Sequence, residues 1–546
     1  MLAIRDLDIS LPPGADRPLA VAGLQLELHP AEILCVVGES GSGKSLTAKA
    51  VMGLLPPPVR ATRGEIRLEG EDLLQATPGR MRQVRGEAVG MIFQEPMTAL
   101  NPLHRIGDQI DEVLRTHTKQ SRRQRKARIV ELLTEVQLPD PRAILQAYPH
   151  QLSGGQRQRA MIAMALILEP RVLIADEPTT ALDVTTQAQI LKLIKDLQDE
   201  FHSGVLFITH DFGVVAEIAD RVAVMQHGEL VEVGTAAEVL HQPRHPYTRD
   251  LIAAVPSLTP RRPALPGDAP VVLEVSDLRK TYHSGGGLWS RGRTVAAVQG
   301  VSLGLRRGET VGVVGESGSG KSTLARCIVR LIEPDAGAVV VDGVDLLPLA
   351  KTALKPYRRR IQMVFQDPYG SLNPRYKVGR LIAEGPLVNG VPRREAQRRT
   401  EELLALVGLP AQAAHRYPHE FSGGQRQRIG IARALALEPE ILIADEPVSA
   451  LDVSVQAQVL ELLADLQRRF QLAMVFITHD LRVAAQVCDR VAVMQRGEVV
   501  EFAATKQLFE DPRHPYTQAL LASVPGKGWR GLAGLEPGRS TLTMID

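Results

Sequence analysis

The stretch that decides the fold is Val36-Val-Gly-Glu-Ser-Gly-Ser-Gly-Lys-Ser45, and the same ten residues recur at Val313–Ser322, 277 residues later. Each copy follows an apolar run and enters a helical pattern, the context in which G-x(4)-G-K-[ST] turns successive backbone N–H groups toward a phosphate chain. One chance match has a probability of roughly a few per cent at average composition. Two matches in register with other repeats predict two nucleotide-binding loops.

The whole chain is an internal repeat. SGGQRQR occurs at Ser153 and again at Ser422, 269 residues later, and LIADEP, ITHD and PRHPYT recur at the same offset. Such self-similarity indicates two copies of one domain joined head to tail. We predict a first domain over 1–250, a proline-rich linker over 251–270, a second domain over 271–525 and a flexible, Gly-rich tail over 526–546.

Strand and helix patterns alternate within each copy. ILCVVG, VLIAD and LFITH in the first copy, with their counterparts in the second, are short apolar runs typical of buried parallel strands. Residues 100–165 and 373–435 have mostly helical patterns instead. The predicted fold class is α/β: two tandem P-loop NTPase domains, each with a helical insertion and a short C-terminal extension.

Composition excludes several classes of protein. With 546 residues, 44% hydrophobic and 23% charged, the chain is of average globular composition, neither mostly disordered nor polytopic in a membrane. The longest apolar run, Ala160–Leu168, is too short for a spanning helix, and no signal peptide is visible. A net charge of +2 gives no global argument for nucleic acid. The 3 cysteines are far apart, so a disulfide framework or Cys-rich metal site is not expected.

The two Gly-rich loops supply most of the candidate ligand-binding residues. Lys44 and Lys321 are predicted to reach the β- and γ-phosphates, and the hydroxyls of Ser45 and Ser322 to ligate Mg²⁺. The candidate loop residues are Gly38, Glu39, Ser40, Gly41, Ser42, Gly43, Lys44 and Ser45, and Gly315, Glu316, Ser317, Gly318, Ser319, Gly320, Lys321 and Ser322.

An acidic pair ends one apolar strand in each copy. We predict that Asp176 and Asp445 hold Mg²⁺, directly or through water, and that Glu177 and Glu446 polarise an attacking water. The alternative is a strand-end acidic pair that only caps the following helix. The phosphate loop upstream favours the catalytic interpretation.

LSGGQRQR at Leu152 and FSGGQRQR at Phe421 resemble the signature motif of ATP-binding cassette (ABC) ATPases, and the resemblance covers both halves. It implies a nucleotide- and Mg²⁺-contacting glutamine at Gln94 and Gln366. It also implies a γ-phosphate-sensing histidine at His210 and His479, and a D-loop at 181–183 and 450–452.

The resemblance further implies that ATP is sandwiched between the phosphate loop of one domain and the signature of the other. The expected first site combines Lys44, Asp176, Glu177 and His210 with Ser422, Gly424 and Gln425. The expected second site combines Lys321, Asp445, Glu446 and His479 with Ser153, Gly155 and Gln156. Both sites keep every motif residue, so we predict two competent sites.

The two copies differ at the expected adenine-stacking position. The resemblance assigns it to Tyr282 in the second copy, where alignment puts Leu11 in the first. An aliphatic face buries the base but loses about 0.5–1.5 kcal/mol of stacking. We therefore predict weaker ATP binding at the Lys44 site.

The repeated element QPRHPYT and DPRHPYT, together with FQEPMTALNP and FQDPYGSLNP, resembles the oligopeptide, dipeptide and nickel import ATPases. The fused layout most resembles the single-chain ATPases of microcin C and peptide uptake. The resemblance implies two integral-membrane permease subunits, an extracytoplasmic binding protein that acts indirectly, no nucleic acid, and a peripheral location on the cytoplasmic face of the inner (plasma) membrane.

Other assignments stay open. A soluble tandem cassette acting on ribosomes or in DNA repair, or an exporter-type assembly, has the same ATPase core. The short linker and the absence of zinc-type Cys spacing favour an importer. The substrate (peptide, peptide antibiotic, glutathione or nickel) is not determined by the sequence, nor is lipid contact by the basic run 122–128.

Overall fold

The computed structural model describes residues 1–180, 182–260, 269–283, 294–449 and 451–529. They divide into two compact units: one comprises Met1–Leu182, Thr186–Val255 and the chain from Pro525, the other Asp183–Thr185 and Pro256–Val524. Part of the predicted linker (261–268), most of the predicted tail (530–546) and the D-loop residues Ala181 and Ala450 lie outside the described residues.

The first half of the chain alternates strands and helices. Its strands are β1 (Leu2–Ser10), β2 (Leu19–Leu28), β3 (Ile33–Val37), β4 (Arg60–Leu68), β5 (Glu71–Asp72), β6 (Val89–Ile92), β7 (Val172–Asp176), β8 (Gly204–Ile208), β9 (Arg221–Gln226) and β10 (Glu229–Thr235). Its helices are α1 (Lys44–Val51), α2 (Pro78–Gln83), α3 (Pro96–Ala99), α4 (Ile106–His117), α5 (Arg122–Glu135), α6 (Pro141–Gln146), α7 (Gly154–Leu166), α8 (Val184–Phe201), α9 (Phe212–Ile218), α10 (Ala236–His241) and α11 (Pro246–Ala253).

The second half repeats this order. Its strands are β11 (Val271–His283), β12 (Thr294–Arg306), β13 (Thr310–Val314), β14 (Ala336–Val341), β15 (Val344–Asp345), β16 (Ile361–Val364), β17 (Ile441–Asp445), β18 (Ala473–Ile477), β19 (Arg490–Gln495) and β20 (Glu498–Ala504). Its helices are α12 (Lys321–Ile328), α13 (Lys351–Arg360), α14 (Pro368–Ser371), α15 (Val378–Val388), α16 (Arg393–Leu406), α17 (Gly423–Leu435), α18 (Val453–Phe470), α19 (Leu481–Val487), α20 (Thr505–Glu510) and α21 (Pro515–Ala522).

Each unit contains a large, mostly parallel sheet and a smaller antiparallel one. The large sheet has the order β10-β9-β3-β8-β7-β6 in the first unit and β20-β19-β13-β18-β17-β16 in the second. All neighbours run parallel except the β9/β10 and β19/β20 pairs. The small sheets have the orders β2-β1-β4-β5 and β12-β11-β14-β15. The predicted α/β fold with a parallel sheet is confirmed.

The parallel strands read as continuous apolar runs because both faces of the sheet are covered. In β3, Ile33, Cys35 and Val37 pack with the helices. The alternate residues Leu34 and Val36 face the core beneath the antiparallel sheet. Strand residues alternate between the two faces, so a single five-residue strand joins two hydrophobic cores.

The helical insertions lie where the helical patterns predicted them. In the first unit α4 to α7 occupy the stretch 106–166, and in the second α15 to α17 occupy 378–435. The basic run forms the start of α5, where Arg125 pairs with Asp111 at 2.7 Å and Arg128 with Glu169 at 2.8 Å. These two arginines are therefore engaged within their own unit.

Two predicted boundaries differ from the structure. The linker prediction begins at residue 251, but α11 continues to Ala253 because Leu251 and Ile252 are buried. The flexible-tail prediction begins at residue 526, but the Trp529 side chain is 9% exposed and stacks on Phe212 with a ring-centroid distance of 6.5 Å. Burial of this aromatic ring holds the chain up to Trp529 in the first unit.

Candidate nucleotide-binding and hydrolytic sites

The site in each unit is built at one edge of the large sheet. In the first unit β3 leads into the phosphate loop, β7 ends in Asp176, and β6 and β8 are followed two residues later by Gln94 and His210. The carboxyl ends of parallel strands meet at one sheet edge, where open α/β folds bind ligands. The fold therefore brings together four of the sequence-predicted motifs.

Glycine is required at both ends of the phosphate loop because the backbone passes close by. A Cβ atom at Gly38 would lie 2.2 Å from the Met225 carbonyl oxygen, and one at Gly43 would lie 2.7 Å from the Ala20 oxygen. In the second unit a Cβ at Gly315 would lie 2.2 Å from the Met494 oxygen. Backbone atoms cannot yield as a flexible side chain can, so these three positions exclude any residue larger than glycine.

The loop lysine begins its helix in each unit and folds back over the loop. Lys44 Nζ donates to the carbonyls of Gly38 at 2.7 Å and Glu39 at 2.8 Å, and to Ser42 Oγ at 3.3 Å. Lys321 Nζ donates to Gly315 and Glu316, both at 2.8 Å. Burial lowers the pKa of Lys321. The ammonium group is thus held within the concavity of its loop.

The loop serine and the strand-end aspartate are directly bonded. Ser45 Oγ donates to Asp176 Oδ1 at 2.8 Å, and Ser322 Oγ to Asp445 Oδ1 at 3.0 Å. A hydroxyl next to a carboxylate is a pair of hard oxygen donors, the chemistry that Mg²⁺ prefers. Two of the residue types predicted to hold Mg²⁺ therefore adjoin in both units and fit the ion.

The glutamate predicted to polarise water lies between an amide and an imidazole. Gln94 Nε2 donates to Glu177 Oε2 at 3.0 Å, and His210 Nδ1 lies 3.4 Å from Glu177 Oε1. Thr180 Oγ1 also donates to Glu177 Oε2, at 2.9 Å. The carboxylate is consequently fixed from both sides.

The second unit repeats this arrangement. Gln366 Nε2 donates to Glu446 Oε2 at 2.9 Å, and His479 Nδ1 lies 3.2 Å from the same oxygen. Glu446 has φ of 45° and Glu177 of 47°, a left-handed conformation that costs a non-glycine residue energy. The same left-handed conformation therefore recurs at the equivalent glutamate of each unit.

Neighbouring carboxyl groups have pKa values shifted in opposite directions. Burial raises the pKa of Asp176. Burial alone would also raise that of Glu177, but the hydrogen bond and charge of His210, the Thr180 hydroxyl and Lys44 outweigh it and lower the pKa to about 2. The pKa of Asp445 is likewise raised by burial, and that of Glu446 is lowered because His479, Lys321 and the Gln366 amide outweigh burial. An ionised glutamate can accept a proton from water.

The signature residues cap a helix in each unit. Ser153 Oγ accepts from the Gln156 N–H at 3.3 Å while the Ser153 N–H donates to Gln156 Oε1 at 3.0 Å, a reciprocal capping box. A Cβ atom on Gly155 would lie 2.8 Å from Thr186 Cγ2. Ser422, Gln425 and Gly424 repeat the arrangement at α17. Their pairing with the opposite phosphate loop stays a prediction.

The two adenine-stacking candidates differ in their surroundings. Tyr282 lies on β11 with 40% of its surface exposed, and Lys280 Nζ lies 5.9 Å from its ring centroid. Leu11 is half-buried and follows the end of β1. Near it, the guanidinium of Arg17 donates to the Gly41 carbonyl of the phosphate loop. Arg17 lies in none of the repeated motifs, so this loop contact was missed.

A second group of residues was missed in both units. The hydroxyls of Tyr247 and Tyr516, from the PRHPYT repeats, contact the phosphate loops through Glu39 and Glu316. The exact recurrence of the repeat was the available signal, but its apolar residues favoured a simple packing interpretation.

Comparison with known proteins identifies the family of the chain. The ABC transporter family profile matches residues 21–180 and 298–449, and the profile of the oligopeptide/dipeptide transporter C-terminal region matches 231–283 and 500–542. The glutathione import ATP-binding protein GsiA of Escherichia coli K12 is 49% identical, and its counterpart in Salmonella choleraesuis 48%, over 96% of this chain and 89% of each relative.

A solved dimeric ATP-binding cassette, MJ0796 bound to ADP and Pi, is 31% identical over 43% of this chain and 98% of its own, with a TM-score of 0.39. Among the described residues, no helix has the length and apolar character needed to cross a membrane. From the two matches to the cassette profile and the near-full-length relatives, the chain belongs to the ABC transporter family as an ATP-hydrolysing, ATP-binding subunit.

Proposed function

We propose that this chain powers the import of peptides or peptide-like compounds, with ATP hydrolysed at two sites and the cargo carried by separate membrane permease subunits. The observation that carries the proposal is the near-full-length similarity to glutathione import ATP-binding proteins, combined with a transporter C-terminal region in each half. Glutathione is itself a small peptide. The relatives therefore narrow the four open substrate classes toward short peptides.

In this proposal Glu177 and Glu446 act as general bases. Each carboxylate is ionised and held by a glutamine and a histidine, so it can orient a water and accept its proton as the water attacks the γ-phosphorus. His210 and His479 then sense the γ-phosphate, and Lys44 and Lys321 neutralise charge on the β- and γ-phosphates.

Mg²⁺ would be held by Ser45 and Asp176 in one half and by Ser322 and Asp445 in the other, with Gln94 and Gln366 nearby. When bound, the ion neutralises charge that develops on the phosphate oxygens. The adjoining hydroxyl and carboxylate oxygens, 2.8 Å and 3.0 Å apart, support this assignment.

Each proposed site is completed by the signature of the other half. Ser422, Gly424 and Gln425 would serve the Lys44 site, and Ser153, Gly155 and Gln156 the Lys321 site. A serine-capped helix N-terminus presents N–H groups and a positive dipole end, which favour a phosphate. Joining the halves in one chain raises the effective concentration of each for the other.

The proposed partners are two integral-membrane permeases and, indirectly, an extracytoplasmic binding protein. The proposed location is peripheral, on the cytoplasmic face of the inner membrane. The linker and cysteine patterns that disfavour ribosomal and repair cassettes support this choice over the soluble alternative.

A pull-down of the tagged native chain in mild detergent, followed by mass spectrometry, tests the proposal. We expect to recover two multi-span membrane proteins at near one-to-one stoichiometry. In a separate uptake assay, we expect import of labelled glutathione or a labelled dipeptide to depend on Glu177 and Glu446. Recovery of ribosomal proteins or repair factors in place of permeases would overturn the importer assignment and leave the ATPase chemistry intact.

A further inference from the structure

A tyrosine hydroxyl reaches the start of the phosphate loop in each unit. Tyr247 Oη accepts a hydrogen bond from the Glu39 N–H at 3.1 Å, and Tyr516 Oη accepts one from the Glu316 N–H at 3.2 Å. The partners lie 208 residues apart in the first copy and 200 in the second. The same contact thus forms in both halves although the intervening chain differs in length.

A carboxylate on the preceding strand fixes the backbone just before the tyrosine. Glu232 of β10 accepts hydrogen bonds from the N–H groups of Arg244 at 2.7 Å and His245 at 3.0 Å. The His245 ring then caps the helix, because its Nδ1 accepts from the Tyr247 N–H at 3.3 Å. With Pro246 in the first position of α11, the direction in which the helix and its tyrosine leave the loop is fixed.

The second unit uses the same construction. Glu501 of β20 accepts from the Arg513 N–H at 2.9 Å and the His514 N–H at 3.0 Å, and His514 Nδ1 accepts from the Tyr516 N–H at 3.2 Å. Both tyrosine rings pack against the hydrophobic core of their unit. The histidine and the tyrosine of the His-Pro-Tyr sequence, at 245–247 and 514–516, therefore act together to place one hydroxyl group in each unit.

This hydroxyl fixes the peptide groups at the entrance of the phosphate loop. The Glu39 N–H is directed to the Tyr247 hydroxyl, while the Glu39 carbonyl accepts from Lys44 Nζ at 2.8 Å. The residue is consequently held on both sides, and its N–H is engaged by the tyrosine hydroxyl. The N–H groups further along the loop would then bind the phosphate. Their orientation is fixed before the nucleotide arrives.

We propose that Tyr247 and Tyr516 are positioning residues for the phosphate loops, so that the C-terminal element of each half sets the nucleotide affinity of that half. The inference rests on the proposed ATP sites and assigns them a residue that is not part of the cassette motifs. Burial raises the pKa of Tyr516 to about 12, so its hydroxyl stays neutral near pH 7.

The test compares Tyr247→Phe, Tyr516→Phe and the double variant with wild type. Removing one hydroxyl leaves the Glu39 or Glu316 N–H without this acceptor and loosens the loop. We expect KM for Mg-ATP and Kd for a fluorescent ADP analogue to rise about three- to tenfold per site, a loss of the order of one hydrogen bond. kcat at saturating ATP should change less than twofold, because the phenylalanine variants leave the hydrolytic residues in place.

Tyr357→Phe is the matched control. Tyr357 is a partly buried tyrosine of α13 that packs against the core beneath the second antiparallel sheet, and none of the described hydrogen bonds joins its side chain to a phosphate loop. It should leave KM, Kd and kcat unchanged. Hydrogen exchange of the peptide spanning 36–43 should accelerate in Tyr247→Phe and not in the control.

The outcomes separate this inference from the proposed function. Wild-type protein that neither binds nor hydrolyses ATP would overturn the function itself. If the wild type is active and both phenylalanine variants have unaltered KM, Kd and hydrogen exchange of the loop, only the positioning role would be overturned. A lower melting temperature with unaltered KM would also overturn it, because a purely structural contact predicts that result.

Discussion

Nδ1 of His479 lies 3.2 Å from Oε2 of Glu446 in the second unit. The Gln366 amide donates to the same oxygen at 2.9 Å, so one carboxylate oxygen is contacted from two different strands of the sheet. Such a carboxylate is fixed in position before any water arrives. Preorganisation of this kind lowers the barrier because the group does not need to reorient during the reaction.

The first prediction concerns the two glutamates proposed as general bases. The Glu177→Gln/Glu446→Gln double variant keeps the side-chain shape but cannot accept a proton. We expect kcat to fall by about 10²–10⁴-fold, while Kd for ATP changes less than about threefold. Steady-state phosphate release and equilibrium nucleotide binding measure the two quantities.

Glu401→Gln provides the control, because Glu401 is an exposed carboxylate of α16 and its loss should leave kcat unaltered. Near-wild-type hydrolysis in the double variant would show that another group accepts the proton.

The second prediction concerns the unequal adenine positions. Tyr282→Leu removes a ring that is 40% exposed on β11, and should weaken ATP binding at the Lys321 site by about 0.5–1.5 kcal/mol. Leu11→Tyr should strengthen binding at the Lys44 site. Kd is measured in Lys44→Ala and Lys321→Ala backgrounds, each of which leaves one loop intact. Equal affinities in these two backgrounds would contradict the predicted asymmetry.

The sequence predicted the elements that carry the site because their signals are local. A Gly-rich loop after an apolar strand, an acidic pair after a second and a histidine after a third each depend on a few neighbouring residues. Since parallel strands end at one edge of a sheet, identifying the three strands was enough to bring Lys44, Glu177 and His210 together.

Contacts between distant segments could not be predicted in this way. Tyr247 reaches Glu39 across 208 residues, and the packing of two elements on each other leaves no period or spacing in a single sequence. Strain is equally hidden, because the positive φ of Glu177 reflects how strand β7 enters its turn. The buried Trp529 was missed because the Gly residues around it dominate the local composition.

The third prediction tests this end of the chain. Trp529 is 9% exposed, stacks on Phe212 of α9, and is preceded by Gly526, whose N–H donates to Glu217 of α9 at 3.2 Å. Trp529→Ala should destabilise the first unit by about 3 kcal/mol, the lower end of the range for truncating a large buried aromatic. Hydrogen exchange of the α9 peptide should accelerate, while peptides of the second unit keep their protection.

Lys527→Ala is the control, because Lys527 is exposed on the same segment and its side chain should contribute little. Unchanged exchange of α9 in Trp529→Ala would mean that the ring does not hold the segment in place.

The fourth prediction is that the stability contributed by Glu501, the carboxylate that holds the segment before Tyr516, depends on pH. Burial alone would raise the pKa of Glu501, but the Thr517 hydroxyl, the Arg513 and His514 N–H groups and the charge of His514 outweigh it and lower the pKa. A carboxyl group whose folded pKa is depressed adds stability above its unfolded pKa, about 4.3, and this stability is lost as the pH falls through the folded value. Glu501→Gln should therefore cost about 1 kcal/mol at pH 7, a charged hydrogen bond discounted for partial exposure.

Urea unfolding of Glu501→Gln and wild type between pH 7 and pH 3 measures this difference, which should shrink toward zero below about pH 4 as the wild-type carboxyl becomes protonated. Glu498→Gln, at an exposed position of the same strand, should give a small difference that does not vary with pH. If the difference in unfolding free energy between Glu501→Gln and wild type stayed constant down to pH 3, the ionised carboxylate would not be the group that holds residues 513–516 in place. The tyrosine would then be aimed by packing and by the His514 cap alone.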